Sequence, residues 1–588
     1  MPQSFSATVE TFLAEYFALL PVHATAAGNH EHDDRWPDLS VAGRDERVAF
    51  FDRWETTLQA LDDGALTDDE RIDRDLLLGE LDAARFEETE LRTEAWDPLE
   101  WVYLMGGGIF PLLARDFAPL ADRLASAAGR LEGLPAVVAA ARETLTGQGD
   151  RPVSRLHTET ALKHLPGIVD LADQASGATH DEAAGADPAV AALRPRLAAA
   201  AETAKAALAD FDRHLRDHVL PTAEGEGRLG SDLFAAKLRR TLRNPDLTPA
   251  RVLAAAERDY VAVRGELVRL ARQAWPAWRP GVPMPADDSA IVRGVLDAVG
   301  AEHQRAEDLL DFCRVELTRI EAFCRAHDLI GLADELLEIR WTPRYLRAFG
   351  GAMLDSPGPL DKGQKAFFSI TPIPDEWTTE QAESYLREDN DRMLRLLTIH
   401  EAVPGHYLQG AYANRHPSIV RSVFWSGVFA EGWAVYVTQV MMDAGYGADD
   451  PALLLTHWKF YLRAITNAII DVRIHTLGMT EDEAVALMVD GGFQEEAEAR
   501  QKYERARLTA TQLSTYYVGS LEFWELEREV RRRVAAASGD PRGEAAVPEP
   551  RVVGGYGETP GFVHRRHLEA CISHGSPPLP LLRRILSG

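Results

Sequence analysis

The sequence predicts a mainly α protein with a small antiparallel β-sheet, and three observations predict it. Long stretches rich in Ala, Leu and Arg, at about 119–146 and 189–219, read as helices. Helix starts recur: Thr67-Asp68-Asp69-Glu70 and Thr480-Glu481-Asp482-Glu483 are capping boxes, and Thr248-Pro249 sets a capping hydroxyl before a first-turn proline. The best strand candidates are two short, β-rich segments bounded by Pro or Gly, 337–342 and 366–371. The expected organisation is an N-terminal helical half, 1–245, and a C-terminal catalytic half, 246–588, enclosing a cleft.

Taken in order, 12–20 is an amphipathic helix broken by Glu15 and followed by Pro21, not a signal peptide or membrane span. His23, His30 and His32, with Asp33 and Asp34, read as a polar loop. The helix opened by Thr67 runs through Leu76, Leu77, Leu81 and Phe86. Gly106-Gly107-Gly108 lacks a following Gly-Lys-Ser/Thr, so it reads as a turn between helices and not as a phosphate cradle. The small, polar stretch 174–188 is an exposed loop. His214 and His218 have i, i+4 spacing but no glutamate after the first, and read as a charged solvent face. Further helices cover 255–270, 291–299 and 302–327. A helix from 380 through 397 leads into His400, and 535–561 is a Gly/Pro/Ala-rich loop before a last helix, 564–573.

Composition bounds the partners. The 588 residues are 46% hydrophobic, ample for a core, and 63 basic against 92 acidic residues leave a net charge of −29. That argues against a nucleic-acid or anionic-membrane partner, since both need a basic face. Cys313, Cys324 and Cys571 lie at no metal-like spacing and suit a reducing compartment, so the cytoplasm is the expected location.

The chemistry concentrates between His400 and Tyr436. His400-Glu401-Ala402-Val403-Pro404-Gly405-His406 is followed by Phe429-Ala430-Glu431-Gly432-Trp433-Ala434-Val435-Tyr436. Two imidazoles and a distant carboxylate are the ligand set of a catalytic zinc that keeps one position open for water. The glutamate after the first histidine, Glu401, is where a zinc peptidase keeps its general base. The spacing departs from HExxH: six residues of regular helix turn a side chain by about 240°, so a straight helix cannot aim both imidazoles at one ion. Pro404 breaks the helix and Gly405 tolerates unusual backbone angles, so the pair is expected to swing His406 back towards His400. Glu431, among Phe424, Trp425, Phe429, Trp433 and Tyr436, would be costly to bury without a cation.

HExxPGH followed by EGWAxY resembles the bacterial domain of unknown function 885 family, grouped with zinc peptidases. It is also similar to the helical gluzincins such as neurolysin and the thermostable carboxypeptidases. The resemblance extends to Ala24–His30, Arg228-Leu229-Gly230 and Gln512–Gly519. It implies a large helical metallopeptidase-like fold, one Zn2+ per chain on His400, His406 and Glu431, and Glu401 as base. Oxyanion donors in gluzincins come from downstream His and Tyr residues, which by position makes His475 and Tyr516 the candidates, with Tyr517 as understudy. Arg473, Arg505 or Arg507 are candidates to hold a substrate carboxylate, and the strand at 366–371 is a candidate to pair with substrate backbone. The expected function is hydrolysis of short peptides. Two alternatives stand beside it: hydrolysis of a non-peptide amide or other small metabolite, and a non-catalytic protein with structural zinc.

Overall fold

The computed structural model describes residues 4–149, 151–180, 187–342, 347, 352–374, 377–539, 542–547 and 555–587. Helix accounts for 72% of it and strand for 3%, which settles the class as mainly α. No helix among the described residues is long and apolar enough to cross a membrane.

The chain divides into two compact units. The first is Met1–Gly227 with Pro343–Phe349 and Pro357–Lys365; the second is Arg228–Thr342 with Gly350–Ser356 and Ala366–Gly588. The boundary thus falls ahead of the expected 245/246, and two later segments join the first unit.

In the first unit, α1 (Pro98–Ala114), α2 (Leu120–Thr144), α3 (Arg155–Gly177) and α4 (Pro188–His214) pack on one another. The triple glycine expected to be a turn lies inside α1. Packing explains it: a Cβ on Gly108 would meet the Trp36 ring at 2.5 Å and the Arg130 guanidinium at 2.9 Å. Tertiary contact overrides the weak helix propensity of glycine here. Of the expected loop at 174–188, residues 174–177 end α3, and 181–186 lie outside the described residues.

The second unit is built on α5 (Pro249–Trp278) and on a three-stranded sheet of β1 (Leu337–Trp341), β2 (Ala352–Asp355) and β3 (Ala366–Ile370). Then come α6 (Thr379–Glu388), α7 (Asp391–Glu401), α8 (His406–Ala413), α9 (Gly427–Asp443), α10 (Pro451–Leu477), α11 (Glu496–Leu508) and α12 (Leu513–Ala537). Buried residues run round every face of α10, the pattern of a central helix, and it packs on α5 and α12. Trp433, Tyr436 and Phe429 of α9 pack on Phe523 of α12 in the main core.

The sheet is mixed where an antiparallel one was expected. Its order is β1-β3-β2: β3 pairs parallel with β1 (Ile339 beside Phe368) and antiparallel with β2 (Leu354 beside Phe368). β3 is therefore the central strand, with both edges occupied, and cannot take substrate by strand addition; β1 and β2 are the edge strands.

Candidate metal centre

α7 carries His400 and Glu401 in its last turn because the helix must stop there. Asn390 caps its start, accepting from the N–H groups of Arg392 and Met393 and splitting the helix expected over 380–397 into α6 and α7. At the other end the chain turns through Ala402–Gly405, with a cis Val403–Pro404 peptide, and resumes helix at His406. Gly405 presses against the end of α7: its N–H donates to the Ile399 carbonyl at 3.0 Å, and a Cβ there would lie 1.9 Å from the His400 carbonyl oxygen. Only a residue without a side chain permits that approach.

The turn is held from α9. The Trp433 indole N–H donates to the Pro404 carbonyl at 2.8 Å in the core, so the residue two after Glu431 fixes the loop that presents His406. α9 is held in turn by α12: a Cβ on Gly432 would meet Gly519 at 2.4 Å, and one on Gly519 would meet the Val428 carbonyl at 2.2 Å. The two helices cross glycine on glycine, which the motif residues record.

The result is a cluster. His400 Nε2 and His406 Nε2 lie 3.8 and 3.5 Å from Glu431 Oε2, and the three donor atoms all fall within 4.8 Å of one another. Donors bound at about 2.0–2.1 Å to a tetrahedral zinc lie about 3.3 Å apart, so the set fits such an ion with little movement. Among the described residues it is the one group of three or more His, Cys, Asp or Glu placed to hold a metal. The His214 and His218 rings are 5.5 Å apart, with no third donor among the described residues gathered to them. The Phe460 ring of α10 meets His400 edge-on at 5.7 Å and walls one side.

Burial sets the electrostatics. It pushes His400 down to about 3, helped by the neighbouring His406, so His400 is a neutral donor. Its Nδ1 is buried and has no hydrogen-bond partner among the described residues. For His406, burial works downwards, but the hydrogen bond to Glu431 and the charges of Glu431 and Glu401 together prevail and raise the imidazole; Glu431 is lowered because that bond and the charges of His406, His400 and Arg505 together prevail over its burial. Burial pushes the Glu401 carboxyl up to about 7, against the pull of His406 and of the Leu354 N–H of β2, which donates to it.

The downstream candidates separate sharply. Tyr516 is placed with the cluster: Glu431 acts on its hydroxyl, which accepts from Arg505 at 3.2 Å and Gln512 at 3.1 Å, and burial raises it to about 12. Tyr517 points the other way, donating to Asp259 of α5 at 2.6 Å. His475 is engaged at both ring nitrogens: Nδ1 accepts from the Leu229 N–H at 3.1 Å and Nε2 donates to the Ala506 carbonyl at 2.9 Å. Burial holds it down at about 4, and it stacks on Phe234 at 5.1 Å. It ties elements together and has no proton to offer an oxyanion. Arg473 pairs with Glu257, and Arg507 lies over the Tyr503 ring at 4.7 Å. Of the arginines considered, Arg505 is the one electrostatically coupled to Glu431.

Sequence reasoning missed Leu354 and the weakly β-like strand that carries it, and it missed Asp471. That buried carboxylate accepts from the Thr511 and Ser514 N–H groups and the Ser514 hydroxyl, fixing the start of α12 ahead of Tyr516. An acid four residues before a histidine in an apolar helix was its only sequence signal.

Fold and site together define a mainly helical protein with a two-histidine, one-glutamate cluster beside a buried glutamate. The chain belongs to the bacterial family of proteins of unknown function DUF885, whose model matches residues 21–586. It is similar over the full length of both chains to a solved protein of unknown function from Shewanella oneidensis, described as a candidate lipoprotein, at 30% identity and TM-score 0.81. A second solved structure, a candidate lipoprotein from Colwellia psychrerythraea, is 15% identical over 99% of each chain with TM-score 0.77, which shows a shared fold. A comparison with curated proteins finds no match.

Proposed function

We propose that this protein is a zinc-dependent hydrolase of peptide bonds in short peptides, with His400, His406 and Glu431 as metal ligands and Glu401 as general base. The observation that carries the reading is the convergence of those three donors, from α7, α8 and α9, beside a buried carboxyl that is not one of them. When bound, zinc supplies Lewis-acid polarisation of a carbonyl and a water of lowered pKa. Glu401 takes the proton of the attacking water and passes it to the leaving amine. Tyr516 donates its hydroxyl proton to the oxyanion as charge develops there. The edge strand β2 is the place for an extended backbone, since its Leu354 N–H lies against Glu401. That edge favours a peptide over a non-peptide amide.

The test is metal content beside turnover. The wild type is expected to hold about one zinc per chain, with His406→Ala and Glu431→Ala losing it, and to cleave members of a peptide library only when loaded. Zinc retained in both variants, or cleavage confined to non-peptide amides, overturns the assignment. We propose the cytoplasm as the location, on three free, buried cysteines; as the solved relatives are described as candidate lipoproteins, recovery in the membrane fraction overturns it.

A further inference from the structure

Beside the metal cluster lies a group of charges that the hydrolytic reading does not use. Lys459 and Arg463 project from α10, and Lys502 and Arg505 from α11; they meet Glu388 at the end of α6 and Glu498 of α11. Lys459 pairs with Glu388 at 2.7 Å, Arg463 with Glu498, and Lys502 with Glu498 at 3.7 Å. Two glutamates therefore serve three cations, and Arg505 is left over. Its Nη2 donates to Gln512 Oε1 and the Tyr516 hydroxyl, both at 3.2 Å and both uncharged, and no described carboxylate lies within ion-pair distance of it. Its Nε and Nη1 donate to no described residue, which leaves two nitrogens of the guanidinium with N–H groups to offer beside the occupied Nη2.

The surroundings show the effect of that imbalance. Lys502 is 6% exposed, and burial together with Arg463 holds its ammonium down at about 7, with Arg505 adding to the repulsion. Burial pushes the neighbouring Asp389 carboxyl up to about 7, so it is a poor neutraliser at neutral pH. Buried like charges are costly unless an opposite charge joins them. A guanidinium with unpartnered N–H groups and no carboxylate beside it takes one by charge-assisted hydrogen bonds. The group adjoins the reaction centre, since Arg505 acts on Glu431 and Arg463 acts on Tyr516.

We propose that Arg505, backed by Lys502 and Arg463, forms a subsite for a carboxylate of the substrate, next to the metal ligands. This rests on the hydrolase reading and narrows it to substrates that carry a carboxylate close to the bond to be cut. The carboxylate comes either from a free C-terminus, which makes the enzyme a carboxypeptidase, or from an acidic side chain.

The experiment is calorimetric binding to the zinc-loaded full chain carrying Glu401→Gln to stop turnover. The probes are N-acetyl dipeptides, each as the free acid and as the C-terminal amide, and amidated dipeptides ending in Glu or Gln. The free acid is expected to bind at least about tenfold tighter than its amide, with the ratio falling towards one in Arg505→Ala and partly returning in Arg505→Lys. The same pattern for Glu over Gln amides, without an acid-over-amide difference, assigns the carboxylate to a side chain. Equal binding of all four forms, or a preference that survives Arg505→Ala, overturns the subsite, and the first needs no arginine variant. The two readings fail separately. Peptide cleavage without carboxylate preference leaves the hydrolase standing alone, and an Arg505-dependent preference without any cleavage leaves the subsite standing alone.

Discussion

Glu401 and Tyr516 are the two side chains whose removal separates chemistry from structure. Glu401 is not a metal ligand, so Glu401→Gln is expected to keep zinc while lowering kcat at least about 100-fold; loss of zinc together with rate places it among the ligands instead. Tyr516→Phe removes one donor and keeps the ring. The expected loss is about 10- to 100-fold in kcat with little change in KM, because the bond strengthens only as the oxyanion forms. An unchanged kcat removes Tyr516 from the mechanism. At this scale the metal ligands were legible in the sequence, because few residue types bind zinc and they stood in recognisable order. Which downstream residues join them was not. Neighbours on a helix point about 100° apart, so Tyr516 faces the cluster while Tyr517 faces Asp259. Two residues apart is about 200°, which sends Arg505 and Arg507 to opposite sides. Arg473 lies ten residues beyond Arg463 on α10, about 15 Å along the axis, and so leaves the site altogether.

Between α7 and α8 the decisive element is a turn, and its glycine is the point of failure. Gly405→Ala sets a methyl group against the last carbonyls of α7, and α8 must move to relieve it. The expected outcome is a fall in stability of at least about 2 kcal/mol and loss of zinc although all three ligands remain, read by thermal unfolding and metal analysis. Full zinc retention means that the turn does not aim His406. The break itself was foreseeable, since Pro404-Gly405 cannot continue a helix. Its support from Trp433 was not, because that bond joins residues that share no local pattern. The sheet erred in an informative direction. Ala366-Phe367-Phe368-Ser369-Ile370 is the most strand-like segment because it is the most buried, and burial marks a central strand. The edge strand beside Glu401 is weakly β-like for the same reason.

Across the first unit, one contact ties residues far apart in the chain. His30 sits between Asp33 at 2.8 Å and Asp361 at 2.9 Å, stacked on Phe117 at 3.5 Å. Burial works against its charge, but the two carboxylates prevail and raise it to about 9. A group raised in the folded state contributes stability that is fully present below its unfolded value near 6.5 and is lost as pH rises through the folded value. Wild type is therefore expected to exceed His30→Gln by on the order of 2 kcal/mol at pH 6, the gap closing between pH 6.5 and 10, as followed by denaturant unfolding. A gap independent of pH means that His30 is held by packing alone. The polar character of this loop was readable, but a partner at position 361 was not.

The sequence by itself determined the helical class, the helix starts, the metal-ligand types and the place where the helix must break. Those follow from local chemistry: capping, periodicity, proline geometry and the short choice of zinc donors. The tertiary structure decided which strands lie at the edges, which face of α12 meets Glu431, that His475 is a strut, and that no described carboxylate lies within ion-pair distance of Arg505. Each of these depends on what is packed opposite a residue, and residues brought opposite one another by folding leave no common pattern along the chain.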